Sequence, residues 1–373
     1  MNTKYFDNAS TTRVADVVLE EYINASKRFY NPSALNLHSI DVKQSIEQER
    51  QKILAYLNGK PKSKFIFTSC ATESNNAVMR SCIKRKDKKH IISAGEHSSI
   101  YNTARQMISE GYDIEICPIM SDGKVDEETL YSMIDDKTVF VSIIHVSNET
   151  GAVNDIKNIT ENLKKLKPDI IVHSDGVQAL HKFDINLIDL GVDYYTISSH
   201  KINGVKGIAG LYIAPNVNFT PYIFGGEQEM GLRGGTENYP AVKAFSTAIV
   251  MPNINYEHME MLKQTLLENL DVAHKLISKQ DCVPNIISIS FDGVRGETLM
   301  HLLDDMGYIV GTGSACNSKE TINRVLNCMK IEKSVALGNI RISFEHDCTK
   351  EDVLGLANAI NECVTKYLSR TKK

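Results

Sequence analysis

The sequence predicts an α/β protein: a mostly parallel, seven-stranded sheet with helices on both faces, joined to a smaller α+β domain. Three observations lead there. Between residues 65 and 213, seven short apolar or β-branched runs alternate with amphipathic stretches, the pattern of strand–helix–strand units stacked into a parallel sheet. After Pro252 this alternation gives way to a long polar helical stretch and a few scattered strands. A chain of 373 residues is also long enough for more than one core.

Taken in order, apolar residues recur every three or four positions over 14–28 and 41–57, which predicts two amphipathic helices. The strand-like runs follow: FIFT (65–68), HIIS (90–93), DIEIC (113–117), TVFVSIIHV (138–146), DIIVHSD (169–175), DYYTIS (193–198) and IAGLYI (208–213). Helices are predicted between them at 73–85, 99–110, 126–134 and 156–166. The last run follows DYYTIS without room for a crossover helix, so it must pair antiparallel. Beyond Pro252 come a helix to about 278, the strand NIISISFDG (285–293), a helix near 296–306, YIVG (308–311), an irregular segment around Cys316, NIRISF (339–344) and a closing helix over 349–368. Residues 13–251 are expected to form the large domain, and 1–12 with 252–373 the small one.

Composition narrows the function classes. A formal net charge of −4 supplies no basic field for nucleic acid or anionic membrane. No apolar run reaches the roughly 18 to 20 residues needed to span a bilayer, and MNTKYFDNASTT has no charged region leading into an apolar one. A cytoplasmic protein with no direct nucleic-acid or membrane partner is expected. The eight cysteines, at 70, 82, 117, 282, 316, 328, 348 and 363, show neither C-x-x-C pairs nor zinc spacing, so no metal site is expected.

In doubly wound sheets the ligand lies beyond the carboxyl ends of the strands. The residues there are polar: SCATESNN, AGEHSS, SNETG, HSDGVQ and SSHK. SCATESNN opens a helix, so the amides of Ala71 and Thr72 form an anion site; the plainer reading is an ordinary N-cap. Asp175 suits a cationic ring nitrogen, or a turn. Gln178 suits a phenolic oxygen, or solvent. His97 suits the face of a flat ring, or nothing in particular, and Asn148 suits a ring oxygen or an Asx turn. Lys201, among strand ends beside an anion site and an acid, is placed to form a Schiff base with pyridoxal phosphate. Gly204, Gly207 and Gly210 then let the chain turn closely into the antiparallel strand.

Together these residues resemble the pyridoxal-phosphate enzymes of the aspartate-aminotransferase fold (fold type I) and, within them, the NifS/IscS-type cysteine desulfurases of the class V aminotransferase family. YFDNASTT (5–12), NPSALNLH (31–38), ATESNN (71–76), GEH (95–97), HVSNETGAV (145–153), HSDGVQ (173–178), SSHK (198–201), LRGGTEN (232–238), GSACNS (313–318) and IRIS (340–343) fall at that family's landmarks, over essentially the whole chain. The resemblance implies pyridoxal 5′-phosphate on Lys201, with Asp175 at the ring nitrogen, Gln178 at the ring oxygen and His97 stacked on the ring. It implies Ala71, Thr72, Ser198 and His200 around the phosphate, with Thr236 arriving from the partner in a homodimer. Asn148 and Arg341 would orient L-cysteine, Arg341 by its α-carboxylate, and Cys316 would take the sulfur as a persulfide for an acceptor protein in iron–sulfur assembly, tRNA thiolation or DNA phosphorothioation.

The glycine- and serine-rich GTGSACNSKET around Cys316 is a suitable mount for a thiol that must move, and the long stretch to Arg341 resembles the long-loop class of these enzymes. Three departures stand out: Cys70 and Ser199 where glycine is usual, and Phe344, Glu345 and His346 after IRIS. Competing readings are a selenocysteine lyase or cysteine-sulfinate desulfinase, an aminotransferase, and a non-catalytic scaffold of a sulfur-transfer complex.

Overall fold

The computed structural model describes residues 3–312 and 323–371. The chain runs through β1 (Lys4–Phe6), α1 (Asp16–Ser26), α2 (Leu37–Tyr56), β2 (Lys64–Thr68), α3 (Ala71–Cys82), β3 (Lys89–Ser93), α4 (Ser98–Ser109) and β4 (Asp113–Cys117). It continues with α5 (Glu127–Ser132), β5 (Thr138–Ile144), α6 (Ile156–Leu166), β6 (Ile171–Asp175), α7 (Leu187–Leu190), β7 (Tyr194–Ser198) and β8 (Ala209–Ile213). The remainder forms α8 (Tyr239–Ile249), α9 (Tyr256–Glu268), β9 (His274–Leu276), β10 (Ile286–Phe291), α10 (Gly296–Asp305), β11 (Tyr308–Val310), α11 (Arg324–Cys328), α12 (Lys333–Leu337), β12 (Asn339–Ser343) and α13 (Lys350–Thr371).

Among the described residues, seven strands make the main sheet in the order β2-β8-β7-β6-β5-β3-β4. All pairs are parallel except those of β8, which runs antiparallel to β2 and β7, as its short connection requires. Side chains alternate between faces along each strand, and both faces are buried. Val141 and Tyr195 join one apolar cluster with Val18, Ile46, Ile159 and Phe245 from the helices. Their neighbours Phe140 and Tyr194 join another with Val78, Met79 and Ile100. Helices therefore cover the sheet on both sides, which is why its strands read as continuous apolar runs.

A second, antiparallel sheet has the order β12-β10-β9. Beside it β1 pairs in parallel with β11, and bridges from Asp7 to Ser343 and from Gly311 to Arg341 connect the two. The N-terminal strand thus packs with C-terminal elements, and Phe6 sits in one core with Leu299, Ile340, Phe344 and Ile360. No described helix is long and apolar enough to cross a membrane.

Several elements differ from expectation, and β1, α7, α11 and α12 had no counterpart in it. α8 was not predicted: its less-buried residues Pro240, Lys243 and Thr247 recur at three and four, but they form only a narrow stripe on a helix with eight of eleven residues buried. α9 stops at Glu268 rather than near 278, and β9 occupies 274–276 instead. α2 begins at Leu37 rather than 41, because the Asn36 side chain accepts from the Ser39 amide and caps it earlier.

Candidate active site

The ends of β6 and β7 and the first turns of α3 and α4 meet. Asp175, buried at the end of β6, accepts from Asn75 Nδ2 at 2.8 Å through Oδ2 and from the Val177 amide at 3.0 Å through Oδ1. Asn75 Nδ2 also donates to Ser99 Oγ at 2.8 Å, and Ser99 Oγ lies 2.8 Å from His97 Nδ1. His97 N-caps α4 by accepting from the Ser99 amide. One chain of polar contacts therefore links His97 to Asp175. Beneath it Glu96 is fully buried, and desolvation followed by the Asp175 charge pushes its carboxyl up to about 8.

After β7 a single 3₁₀ turn, Ser199–Lys201, carries the two basic residues. Its tightness depends on Gly204, where a Cβ would lie 2.0 Å from Ser199 Oγ, and on Gly207, whose φ of +84° falls in the left-handed region. Lys201 Nζ donates to Ala9 O at 2.5 Å and Ser10 O at 2.6 Å. His200 Nδ1 faces Thr11 Oγ1 at 3.1 Å. The segment after β1 thus meets both side chains.

Arg341, on β12, is 5% exposed. It donates through Nη2 to Asp7 Oδ1 and Ser10 Oγ, both at 2.7 Å, and through Nη1 to Asn148 O at 2.9 Å. Its Nε is buried with no hydrogen-bond partner among the described residues, which leaves a donor for an incoming anion. The amine of Lys201 and the guanidinium of Arg341 accordingly meet on one residue, Ser10. Burial, then the nearby Arg341 charge, pushes the Lys201 amine down to about 8. Burial likewise lowers His97 and takes His200 down to about 4, so both rings are neutral near pH 7.

Gln178, 4% exposed, donates from Nε2 to Ala9 O at 2.8 Å, which puts it beside Lys201. Ala71 and Thr72 open α3 with Cys70 as an N-cap whose side chain makes no capping bond. Ser198 Oγ is buried without a partner among the described residues. Thr236 stands apart from this group. It lines a cavity of about 220 Å³ with Ser69, Gly207 and Arg233. Cys316 lies outside the described residues. The chain leaving that segment is held at the site: Asn323 Nδ2 donates to Glu149 Oε2 at 2.9 Å, and Arg324 donates to the carbonyls of Ala94 and Glu96.

A profile of the aminotransferase class-V family matches residues 4–356. The chain belongs to that family. It is 32% identical over 364 residues to "Cysteine desulfurase 2" of Trichormus variabilis, covering 95% of this chain and 91% of that protein. Among solved structures, a "NifS-like protein" superposes with a TM-score of 0.90 at 34% identity, covering 97% of this chain and 99% of the other. "SspA in complex with cysteine" does so with a TM-score of 0.82 at 30% identity, covering 92% and 99%.

Pyridoxal 5′-phosphate is the cofactor of the class-V family, and the donor set fits it. A lysine with a lowered proton affinity stands beside a buried carboxylate, while the unpartnered Ser198 hydroxyl and the N-terminal amides of α3 suit a phosphate. Sequence reasoning missed Asn75 and Ser99, which hold Asp175 and His97, and Asp7, which holds Arg341. Asn75 lay within the quoted ATESNN stretch, where its position one turn into a helix was the available signal.

Proposed function

We propose that this class-V family protein is a cysteine desulfurase, converting L-cysteine to L-alanine and passing the sulfur on as a persulfide. The observation that carries this reading is the meeting of Lys201 and Arg341 on Ser10, which suits an α-amino acid, whose nitrogen and carboxylate lie on one carbon. Asp175, Gln178, Asn148 and His97 would hold the ring of pyridoxal phosphate. Ala71, Thr72, Ser198 and His200 would hold its phosphate, with the partner subunit's Thr236. The cofactor, when bound, anchors the substrate nitrogen and takes up the electron pair released at the α-carbon.

The protein's own groups do the rest. Lys201, with its amine near 8, is suited to moving the α-proton at neutral pH. Arg341 grips the α-carboxylate, with Asn148 beside it. Cys316 contributes the thiol: L-cysteine plus this thiol gives L-alanine plus the persulfide, so the sulfur atom transfers and no outside oxidant or reductant is needed.

Residues 13–251 would form the cofactor-binding domain, and 1–12 with 252–373 the small domain bearing Cys316. A homodimer is supported by large apolar side chains left in solvent, such as Phe29 at 82% and Leu35 at 93% exposure. The acceptor is proposed to be a protein of iron–sulfur assembly, tRNA thiolation or DNA phosphorothioation, and the compartment the cytoplasm.

The test measures alanine and sulfide released from L-cysteine under reducing conditions. Equimolar products from the wild type, and none from a Cys316→Ala variant that still carries cofactor, are expected. Full turnover by Cys316→Ala would remove the persulfide step from this reading.

A further inference from the structure

Lys182 is 8% exposed, and its ammonium has no carboxylate partner among the described residues. Its one hydrogen bond there is to Gln178 Oε1 at 3.3 Å. A buried ammonium without a counter-charge costs stability, so its presence asks for a reason.

The reason lies in the polarity of the Gln178 amide. A protonated lysine has three donors and no acceptor, so while it carries its proton Lys182 takes only the oxygen end of the amide as a neighbour. The nitrogen end must then point the other way, and there Nε2 donates at 2.8 Å to Ala9 O, the same carbonyl that takes Lys201 Nζ at 2.5 Å. Turning the amide over would set NH₂ against the ammonium and oxygen against a carbonyl oxygen. Both contacts are repulsive. The two side chains are four residues apart in a turn where the amides of Ala179 and Leu180 both reach Gly176 O, which holds their spacing.

We propose that Lys182 is a positioning residue for the cofactor site: while protonated it orients Gln178 so that an N–H, rather than the carbonyl oxygen, would face the ring oxygen of a cofactor on Lys201. This rests on the reading of Lys201 and Gln178 given above. An N–H at that oxygen stabilises its anionic form and disfavours an extra proton on the adjoining Lys201–cofactor nitrogen. Loss of Lys182 therefore raises the pH at which that nitrogen titrates. The charged and titratable groups facing Lys201 include Arg341, Asp7, Asp175 and Glu149, His97 and His200, and Lys182 itself, and His181, Glu345 and His346 line the about 240 Å³ cavity shared by Lys182 and Lys201. All but Lys182 are left in place by the substitutions, and Lys182→Arg keeps the charge there.

The experiment is a visible-absorbance pH titration of the cofactor-loaded wild type, Lys182→Met, Lys182→Arg, Gln178→Ala and the Lys182→Met/Gln178→Ala double variant. Lys182→Met is expected to raise the midpoint by about half to one pH unit, the size of one hydrogen bond. Lys182→Arg should return it toward the wild type. In the Gln178→Ala background Lys182→Met should add only the smaller part that comes directly from the Lys182 charge, because the rest of its effect passes through the amide. An unchanged midpoint in Lys182→Met, or the same full shift in the double variant, overturns the inference while the cofactor reading stands. A wild type that shows no Lys201-dependent absorption band overturns both.

Discussion

The ring side and the carboxylate side of the site are built differently. On the ring side, Asp175, Asn75, Ser99 and His97 stand at strand ends or first helical turns of one sheet layer and are joined by contacts of 2.8 Å. On the carboxylate side, Arg341 comes from the small sheet, Asp7 from the segment after β1 and Asn148 from the loop after β5. The first group inherits its geometry from a single sheet edge. The second exists only when three distant stretches of chain come together, and its central contact is ionic.

Three substitutions probe that contrast. Lys201→Ala is expected to lower alanine formation by about 10⁴-fold or more and to abolish the visible absorption band, with circular dichroism unchanged. A residual rate near wild type would mean another group moves the proton. Arg341→Lys loses the planar fork but keeps a cation for Asp7; KM for L-cysteine should rise about 100-fold, roughly 2.7 kcal/mol, with a smaller change in kcat. A loss confined to kcat would assign Arg341 to the ring side instead. Asn75→Ala removes a donor to Asp175 and should weaken cofactor retention about tenfold, the cost of about one hydrogen bond to a charged group, with little effect on KM. Equal effects on cofactor retention and on KM would erase the distinction between the two sides.

The smallest effect concerns stability. Burial pushes the Lys182 amine from 10.5 down to about 7, so between those values the unfolded chain binds more protons than the folded one. Stability should then rise as pH climbs from 7 to 9. In Lys182→Met this rise should flatten, and at pH 7 the urea midpoint should move up by the equivalent of about 1 kcal/mol. A steeper rise in the variant would place the buried charge elsewhere.

The same contrast explains what was legible in the sequence. Asp175, His97 and Lys201 could be named because strand-like runs end just before them, and a parallel sheet brings all such ends to one edge. Asp7 gave no such signal. It follows a strand of only three residues, Lys4–Phe6, too short for an alternating pattern, and its partner Arg341 is 334 positions away. α8 was overlooked because its polar stripe is only three residues wide, Pro240, Lys243 and Thr247. Lys182 gave no signal in the sequence, because only the packing reveals that it is buried and bonded to Gln178. Of the three departures, Ser199 is accommodated by the space at Gly204. Glu345 and His346 line the cavity that Lys182 shares with Lys201, and Cys70 occupies the N-cap of α3 without using its side chain.

The acceptors for Lys201 are the carbonyls of Ala9 and Ser10, and this segment is fastened by β1 pairing with Tyr308–Val310 and by Asp7 bridging to Ser343. The position of the Lys201 amine therefore depends on contacts that span about three hundred residues of chain, from Ala9 and Ser10 through β1 to β11 and β12. A substitution that loosens β1 from Tyr308–Val310 is expected to reach Lys201 without touching it.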